Sequence, residues 1–480
     1  MFSASHPSLH HSNTPSLHFA SPLFDLISAI AIYSPTSDDL RAIQNPKSKI
    51  QNRIMLSQED NDLLTRTGPG TPAGNLLRRY WQPVALVEEL PANGAPLPVR
   101  IMSEDLVLFR DDRGQLGLLG RHCSHRRADL SYGRVENGGL RCLYHGWLFD
   151  RRGNCLEQPC EPPAKRFCEK VHHPAYPCTE RAGIVFAYLG QDEPPLFPAY
   201  EPFLAPQSHL LVTKIFHECN YFQANEGNLD PSHVSYLHRQ GNVPENLKRP
   251  VPGTGGKLPL ALYDADGAPD IEAEDTDYGV RIISIRKTEE GRTFFRVTNF
   301  VLPNMATIPG PMSGDGYNLY CHVPIDDTHH WRYDIVFRRS APMEEKDIAR
   351  NEEILDELDE NYHPKRNKAN RYLQDRESMK TWSFSGMGRI FNVQDTAIVE
   401  GSGPIVDRTK EFLGPSDRAI ISARRQLLRA IREVEAGREA PHVVRTPEKN
   451  RFPDLTVISE VITDGSDWKT HWKNKLAALR

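Results

Sequence analysis

Four cysteine and histidine residues lie close together in the sequence and could hold a metal centre. Cys123 and His125 form one half of the set, and Cys142 and His145 form the other. Each half places one thiolate and one imidazole on a short segment, so two loops could close over one centre. Two cysteines and two histidines can hold a [2Fe–2S] cluster in which the cysteines bind one iron and the histidines bind the other. Neutral imidazole ligands raise the reduction potential of such a cluster.

Structural zinc is the alternative for this set, because two cysteines and two histidines also complete a tetrahedral zinc site. Zinc fingers usually carry a pair of cysteines in one half and a pair of histidines in the other. Here each half contains one residue of each type. Gly146 follows the last ligand, where the backbone must pass close to a cluster. The pattern therefore favours the iron–sulfur cluster over zinc.

A second group of possible ligands lies in the segment EGNLDPSHVSYLH, which contains Asp230, His233 and His238. Two histidines and one carboxylate on a single face hold non-heme Fe(II) and leave coordination positions open for O₂ and substrate. On a regular helix of about 3.6 residues per turn, the two histidines would point about 140° apart. We therefore expect the helix to bend or end there, with Pro231 in its first turn. Two partly buried histidines that bond backbone groups are the alternative.

Two domains are predicted to position these groups, and together they give an α+β fold. Short strands separated by turn residues predict a small antiparallel β domain over residues 85–195, which contains the four cluster ligands. Residues 205–437 are predicted to form a catalytic domain in which helices cover a central antiparallel sheet. Residues 438–480 form a C-terminal tail without an interpretable pattern.

Particular elements of the second domain can also be predicted. Residues 280–285 and 293–300 are expected to pair as neighbouring strands. A helix is predicted from Ser416, as its N-cap, to Gly437. Another helix is predicted over residues 343–358, with Ile348, Leu355 and Leu358 on one apolar face.

Composition excludes several classes of function. The chain has 480 residues and a net charge of −5, and it has no long basic run, which argues against nucleic acid as a partner. No segment approaches the roughly 20 apolar residues that span a bilayer. The eight cysteines are too sparse for a disulfide scaffold and are typical of a reducing compartment, so we expect a cytoplasmic location.

Residues 1–54 differ in composition from the rest of the chain and are rich in Ser, His and Pro. Their first basic residue is Arg41, so the segment lacks the positive start of a signal peptide. We predict a disordered or mis-assigned extension, with Met55 as the natural beginning.

The segment RHCSHRRADLSYGRVENGGLRCLYHGWLF resembles the Rieske motif of aromatic-ring hydroxylating oxygenases. Similarity to the oxygenase (alpha) subunits of the phthalate dioxygenase branch extends from about Met55 to about Gly437. Respiratory Rieske proteins carry an additional cysteine in each loop, and these positions are Ala128 and Tyr144 here. Their bridging disulfide therefore cannot form in this chain.

The resemblance also implies roles for the second group. In the family, the aspartate three residues before the first histidine is not an iron ligand, so Asp230 would connect His145 of one chain to His233 of the next. This arrangement implies a ring of subunits, commonly a trimer or a multiple of trimers. Many members carry an asparagine at the position of Gly227, whereas here Asn228 follows one residue later.

The third iron ligand is implied by a later motif. The segment QDTAIVEGSGPIVDRTKEFLG resembles the motif that supplies it, and Asp395 is the expected ligand. Asp407 and Asp375 are the less favoured alternatives. The alternative for Asp395 is a structural role, in which it caps a helix or pairs with an arginine.

The activity implied is oxidation of an aromatic or similar small organic substrate by O₂, through ring hydroxylation or O- or N-demethylation. A separate flavin and iron–sulfur reductase, supplied by NADH or NADPH, would deliver electrons to the cluster. The chain carries no Gly-rich dinucleotide fingerprint of its own, which agrees with an external reductase. The alternative is a Rieske electron-transfer protein without oxygenase activity, which would need only the cluster.

Overall fold

A computed structural model describes residues 56–241, 261–264, 266–288, 292–310, 315–462 and 467–479. The predicted extension over residues 1–54 lies outside the described residues. Residues 55–480 form one compact unit. Within the described ranges, no helix is long and apolar enough to cross a membrane.

The N-terminal part of this unit is built from short antiparallel strands after two helices, α1 (Gln58–Thr65) and α2 (Pro72–Leu77). The strands are β1 (Trp81–Leu86), β2 (Leu97–Ile101), β3 (Glu104–Arg110), β4 (Leu116–Gly120), β5 (Arg134–Glu136), β6 (Gly139–Arg141), β7 (Leu148–Asp150), β8 (Cys155–Glu157), β9 (Ala175–Tyr176), β10 (Cys178–Arg181) and β11 (Ile184–Tyr188). They form three sheets, in the orders β1-β11-β10, β2-β3-β4-β9 and β5-β6-β7-β8. The predicted antiparallel β domain is confirmed.

The C-terminal part contains one large antiparallel sheet with helices packed on it. Its strands are β12 (Leu210–His217), β13 (Asp270–Asp275), β14 (Gly279–Lys287), β15 (Thr293–Val301), β16 (Met305–Pro309), β17 (Gly316–Pro324), β18 (His330–Arg338) and β19 (Ile458–Ile462). Its helices are α3 (Glu201–Leu204), α4 (Tyr221–Leu229), α5 (Ala261–Asp264), α6 (Glu345–Leu355), α7 (Phe391–Gly401), α8 (Arg418–Glu435) and α9 (Trp468–Leu479). The sheet order is β12-β18-β17-β16-β15-β14-β13, and β19 pairs with β15. The predicted α+β class is confirmed.

The two faces of β15 pack against different helices. Phe295 packs against Trp472 of α9 on one face. Phe300 points to the other face and contacts Phe222 of α4. Because side chains alternate along a strand, Arg296 shares the face that α4 covers. The predicted pairing of residues 280–285 with 293–300 is confirmed, and residues 289–291, between the two strands, lie outside the described residues.

Two details of the predicted helices are wrong. Helix α8 begins at Arg418, and Ser416 lies in a short 3₁₀ turn before it, so Ser416 is not its N-cap. Gly437 does follow its end, with a φ of 74° that suits glycine. In α6, Ile348 and Leu355 are 42% and 40% exposed, whereas Asp347 and Arg350 are buried. The inner side of α6 is polar because it borders the cavity described below.

Candidate functional site

The predicted cluster ligands lie on two loops, one between β4 and β5 and the other between β6 and β7. In the first loop the backbone N–H of Arg127 donates to the carbonyl of Cys123 over 2.9 Å. In the second, the N–H of Gly146 donates to the carbonyl of Cys142 over 3.0 Å. Each cysteine therefore begins a tight turn that brings its histidine back towards the same centre.

Gly146 is required by the shape of the second loop. Its φ is 72°, a conformation that side-chain-bearing residues rarely adopt. A Cβ atom added there would lie 2.7 Å from Cγ of Pro159. The contact with Pro159 therefore requires glycine here, and the expectation that the backbone passes close to a cluster at Gly146 stays a prediction.

The four cluster side chains converge on one position. The rings of His125 and His145 have centroids 4.5 Å apart, and the indole of Trp147 stacks on His125 at 4.6 Å. A hydrogen bond between the two thiols lowers the pKa of Cys142 to about 6 and raises that of Cys123. Nδ1 of His125 is buried without a hydrogen-bond partner, as expected of an atom that binds metal. The residues present therefore fit a cluster.

The second group of predicted ligands lies where α4 ends. Helix α4 stops at Leu229, Asp230 is its C-cap, and His233 begins a short 3₁₀ turn. The expectation that the helix bends or ends is confirmed. The placement of Pro231 in the first turn of a helix is wrong, because Pro231 follows the helix and prevents its continuation.

His233, His238 and Asp395 form a group whose ligand atoms lie within 4.8 Å of one another. Oδ1 of Asp395, on α7, is 3.1 Å from Nε2 of His238 and 3.7 Å from Nε2 of His233. The donor set of two imidazoles and one carboxylate fits Fe(II). The alternatives lie elsewhere, since Asp407 pairs with Lys410 and Asp375 accepts from the backbone of Glu377.

A residue that the sequence interpretation missed orients one of these ligands. Nδ1 of His238 lies 2.6 Å from Oε1 of Gln394, and Nε2 of Gln394 donates to the carbonyl of Gly388 over 2.7 Å. Because the Gln394 N–H groups face a carbonyl, its oxygen must accept from His238. The remaining ring nitrogen of His238, Nε2, is thereby directed at Asp395. The only signal in the sequence was its position next to Asp395.

Asp230 lies beside His233 and not within the ligand group. Its Oδ2 is 3.6 Å from Nδ1 of His233. Burial raises the pKa of Asp230, but the interaction with His233 outweighs it and holds the pKa below its ordinary value. A charged carboxylate at this position can polarise the imidazole from behind, as expected for a bridging residue.

A cavity of about 140 Å³ opens at the ligand group. Its floor is the sheet face that α4 covers, and its walls come from α4, α6 and α7. Residues that line it include Asn228, His233, Arg296, Arg350 and Asp395. The candidate iron ligands therefore face a space suited to a small organic molecule.

Comparison with known proteins matches both parts of the chain. Residues 80–173 match the Rieske [2Fe–2S] domain, and residues 187–478 match the family described as LigXa C-terminal domain like. The phthalate 4,5-dioxygenase oxygenase subunit of Pseudomonas putida is 38% identical over 440 residues, which is 88% of this chain and 97% of that protein. The chain belongs to the Rieske non-heme iron oxygenases. The Rieske match covers the Cys123–His145 segment, so the cofactor there is a [2Fe–2S] cluster and not zinc.

Other relatives agree that this Rieske oxygenase chain is an oxygenase subunit. The 5,5'-dehydrodivanillate O-demethylase oxygenase subunit of Sphingobium sp. (strain NBRC 103272 / SYK-6) is 34% identical over 421 residues, 86% of this chain and 89% of its own. The terminal oxygenase of carbazole 1,9a-dioxygenase from Nocardioides aromaticivorans IC177 has the same fold, with a TM-score of 0.53, 18% identity and coverage of 80% of this chain and 99% of that one. The comparisons support the oxygenase and not a pure electron carrier.

Proposed function

We propose that this oxygenase subunit oxidises an aromatic carboxylic acid whose carboxylate is bound by Arg296, at an iron held by His233, His238 and Asp395. The observation that carries the proposal is the burial of the Arg296 side chain without a carboxylate partner among the described residues. Its side chain is only 7% exposed and lines the cavity next to the ligand group. Among the described residues no carboxylate pairs with it, and its Nε has no hydrogen-bond partner.

A buried cation without a partner is costly, so the site favours an anion. Arg296 lies over the ring of Tyr263 at 5.6 Å, and Arg286 lies over the same ring at 5.1 Å. Burial lowers the pKa of Arg286 to about 10, and the charge of Arg296 adds to this effect. Arg286 already donates to the carbonyl of Pro231. Arg296 therefore remains as the group that a substrate carboxylate would neutralise.

The names of two relatives point the same way. Phthalate and dehydrodivanillate, which name the two relatives described above, are aromatic carboxylates. Arg296 gives that substrate class a physical basis in this chain. Whether the product gains one or two oxygen atoms depends on chemistry at the iron.

The chain's own residues would act as a scaffold for the reaction. When bound, the cluster would supply single electrons and the iron would activate O₂. Arg296 would hold the substrate by its carboxylate, while Phe391, which stacks on His238 at 4.0 Å, shields that ligand from water. Gln394 fixes the tautomer of His238.

Electron transfer is proposed to require a neighbouring subunit and an external reductase. We infer that His145 of one chain approaches Asp230 of the next in a homotrimer or a multiple of trimers. Two observations support this inference. Leu143 and Tyr144, which adjoin His145, are 59% and 56% exposed, and the Asp230 side chain is also accessible. A flavin and iron–sulfur reductase, supplied by NADH or NADPH, would reduce the cluster.

We also propose the domain boundaries and location. Residues 85–195 would form the cluster domain, and residues 205–437 would form the catalytic domain. Strand β19 and helix α9 lie in the predicted tail over residues 438–480, and they would extend the catalytic domain because β19 pairs with β15. All eight cysteines lie in the described part of the chain, and none of them forms a disulfide. This agrees with a reducing, cytoplasmic location.

Binding by Arg296→Met and Arg296→Lys tests the proposed substrate class. A charged hydrogen bond is worth about 1.5–3 kcal/mol, so Arg296→Met should weaken phthalate and benzoate binding roughly 10- to 150-fold. Binding of the neutral methyl benzoate should not change, and Arg296→Lys should retain part of the carboxylate affinity. Arg339→Met, at an exposed arginine that pairs with Glu201, is the control. Equal loss for the acid and the ester would contradict the proposal.

A further inference from the structure

Two buried histidines connect Asn228 to a fixed backbone acceptor. Nδ2 of Asn228 lies 2.6 Å from Nε2 of His322. Nδ1 of His322 lies 3.1 Å from Nε2 of His330. Nδ1 of His330 lies 2.8 Å from the carbonyl oxygen of Cys219. A continuous chain of hydrogen bonds therefore runs from the backbone at Cys219 to the end of α4.

The direction of every bond in this chain follows from its two ends. A carbonyl oxygen only accepts, so His330 donates from Nδ1 to Cys219. Burial lowers the pKa of His330 to about 3, so the ring is neutral and its Nε2 accepts. His322 must then donate from Nδ1. Burial also holds the pKa of His322 well below its ordinary value, so Nε2 of His322 is an acceptor.

These hydrogen-bond directions determine the orientation of the Asn228 side-chain amide, whose nitrogen and oxygen are otherwise hard to distinguish. Only an N–H group can serve the acceptor nitrogen of His322, so Nδ2 faces His322 and Oδ1 faces away. Asn228 is half-buried and lines the same cavity as Arg296 and His233. No described residue donates to Oδ1. The cavity therefore gains an oriented hydrogen-bond acceptor close to the iron ligands.

We infer that Asn228 is a specificity-determining residue that accepts a hydrogen bond from a hydroxyl or amino group on the substrate ring, and that His322 and His330 are positioning residues for its amide. The inference rests on the proposed function, in which Arg296 holds the carboxylate of the same ring. It narrows the substrate class to aromatic acids with a second, hydrogen-bond-donating substituent. Without His322 the amide could rotate and present its N–H groups to the ring.

Equilibrium binding to the metal-loaded enzyme without reductase tests the inference, since no turnover occurs. The probes are benzoate, 3-hydroxybenzoate and 4-hydroxybenzoate. The wild-type enzyme should bind one of the hydroxybenzoates up to about tenfold more tightly than benzoate, as one hydrogen bond provides. Asn228→Leu should abolish this ratio of hydroxybenzoate affinity to benzoate affinity. Its affinity for benzoate should stay within about threefold of the wild-type value.

Variants of His322 test the positioning role. His322→Leu should remove most of the preference for the hydroxybenzoate over benzoate, although Asn228 is intact. The double variant Asn228→Leu/His322→Leu should lose no more of this preference than Asn228→Leu alone. His322→Gln should restore the ratio, because an amide can also accept from Asn228 and donate to His330. His329→Leu, at the neighbouring histidine outside the chain of bonds, is the matched control and should keep the ratio. Circular dichroism and iron content would establish that each variant is folded and loaded.

Several results would overturn the inference. Equal affinity of the wild-type enzyme for all three acids is one, and an unchanged ratio in Asn228→Leu is another. An unchanged ratio in a folded His322→Leu would remove the positioning role. Failure of the proposed function would give a different result, which phenol detects as an additional probe. If Arg296 does not bind the carboxylate, phenol should bind as tightly as 4-hydroxybenzoate.

Discussion

His238 and Gln394 are joined by a hydrogen bond of 2.6 Å that leaves only one nitrogen of His238 available to a metal. The carbonyl of Gly388 holds the Gln394 amide in turn. Partners of this kind determine the ring orientation and basicity of a metal-binding histidine. Gln394 is therefore expected to influence the iron affinity of the proposed site, although it is not itself expected to bind iron.

Gln394→Leu is expected to weaken iron binding about 10- to 100-fold, because His238 loses the acceptor that fixes its tautomer. Competition with a chelator would measure the change. The visible absorption of the cluster should not change. Gln374→Leu, at a glutamine that donates to the carbonyl of Ser385, is the control. Unchanged iron affinity in Gln394→Leu would show that the tautomer is fixed by another group.

Asp230→Asn is expected to slow reoxidation of the reduced cluster by O₂ in the presence of substrate about 10- to 100-fold, with both metals still bound. The carboxylate that polarises His233, and that is proposed to connect it to the neighbouring subunit, would be lost. Stopped-flow absorbance of the cluster would measure the rate. Asp407→Asn, at a carboxylate that pairs with Lys410, should have no effect. A normal rate in Asp230→Asn would exclude this carboxylate from the electron path.

His125→Cys is expected to lower the reduction potential of the cluster by about 100 mV or more, because an anionic thiolate replaces a neutral imidazole. A redox titration followed by electron paramagnetic resonance would show the shift. Cys160→Ser, at an exposed thiol, should leave the potential unchanged. A zinc site would give no signal in either variant.

The ion pairs of Glu226 predict a pH-dependent stability. Burial raises the pKa of Glu226, but the charges of Arg408 and Arg424 outweigh it and hold the pKa below 4.5. The contribution of Glu226 is therefore fully present above pH 4.5 and is lost as the pH falls through the lower folded value. At pH 7, Glu226→Gln should lower the free energy of unfolding by about 3 kcal/mol, since Arg408 is left buried without its carboxylate.

Denaturant unfolding of both proteins at pH 7 and near pH 3 would test this dependence. The difference between wild type and Glu226→Gln should shrink at the lower pH. Glu435→Gln, at an exposed position of α8, is the control. A difference that stayed constant with pH would mean that the effect comes from packing and not from charge.

The cluster could be predicted from the sequence because its proposed ligands are local. Cys123, His125, Cys142 and His145 lie on two neighbouring hairpin-like loops, so their spacing alone reflects their geometry. Asp395 lies far along the chain from His238, and only resemblance to a known motif could pair them. Gln394 was missed because an amide that bonds a histidine has no spacing rule.

Two errors in the second domain have different physical origins. Ser416 has the right residue type for an N-cap, but Pro415 and Asp417 form a separate 3₁₀ turn before the helix. The periodicity of α6 predicted a buried apolar face at Ile348 and Leu355, yet the polar residues Asp347 and Arg350 are buried instead. A helix that borders an internal cavity can direct polar side chains inward, and composition does not reveal the cavity.

The pairing of β19 with β15 has a consequence for biosynthesis. Arg296 on β15 lies opposite Ser459 on β19, so the strand that carries the proposed carboxylate ligand is completed by residues that are translated long after it. The two cluster loops, in contrast, are enclosed by strands that precede β15 and β19 in the sequence. On a growing chain, the iron–sulfur centre can be assembled well before the cavity beside the proposed iron ligands has its final shape.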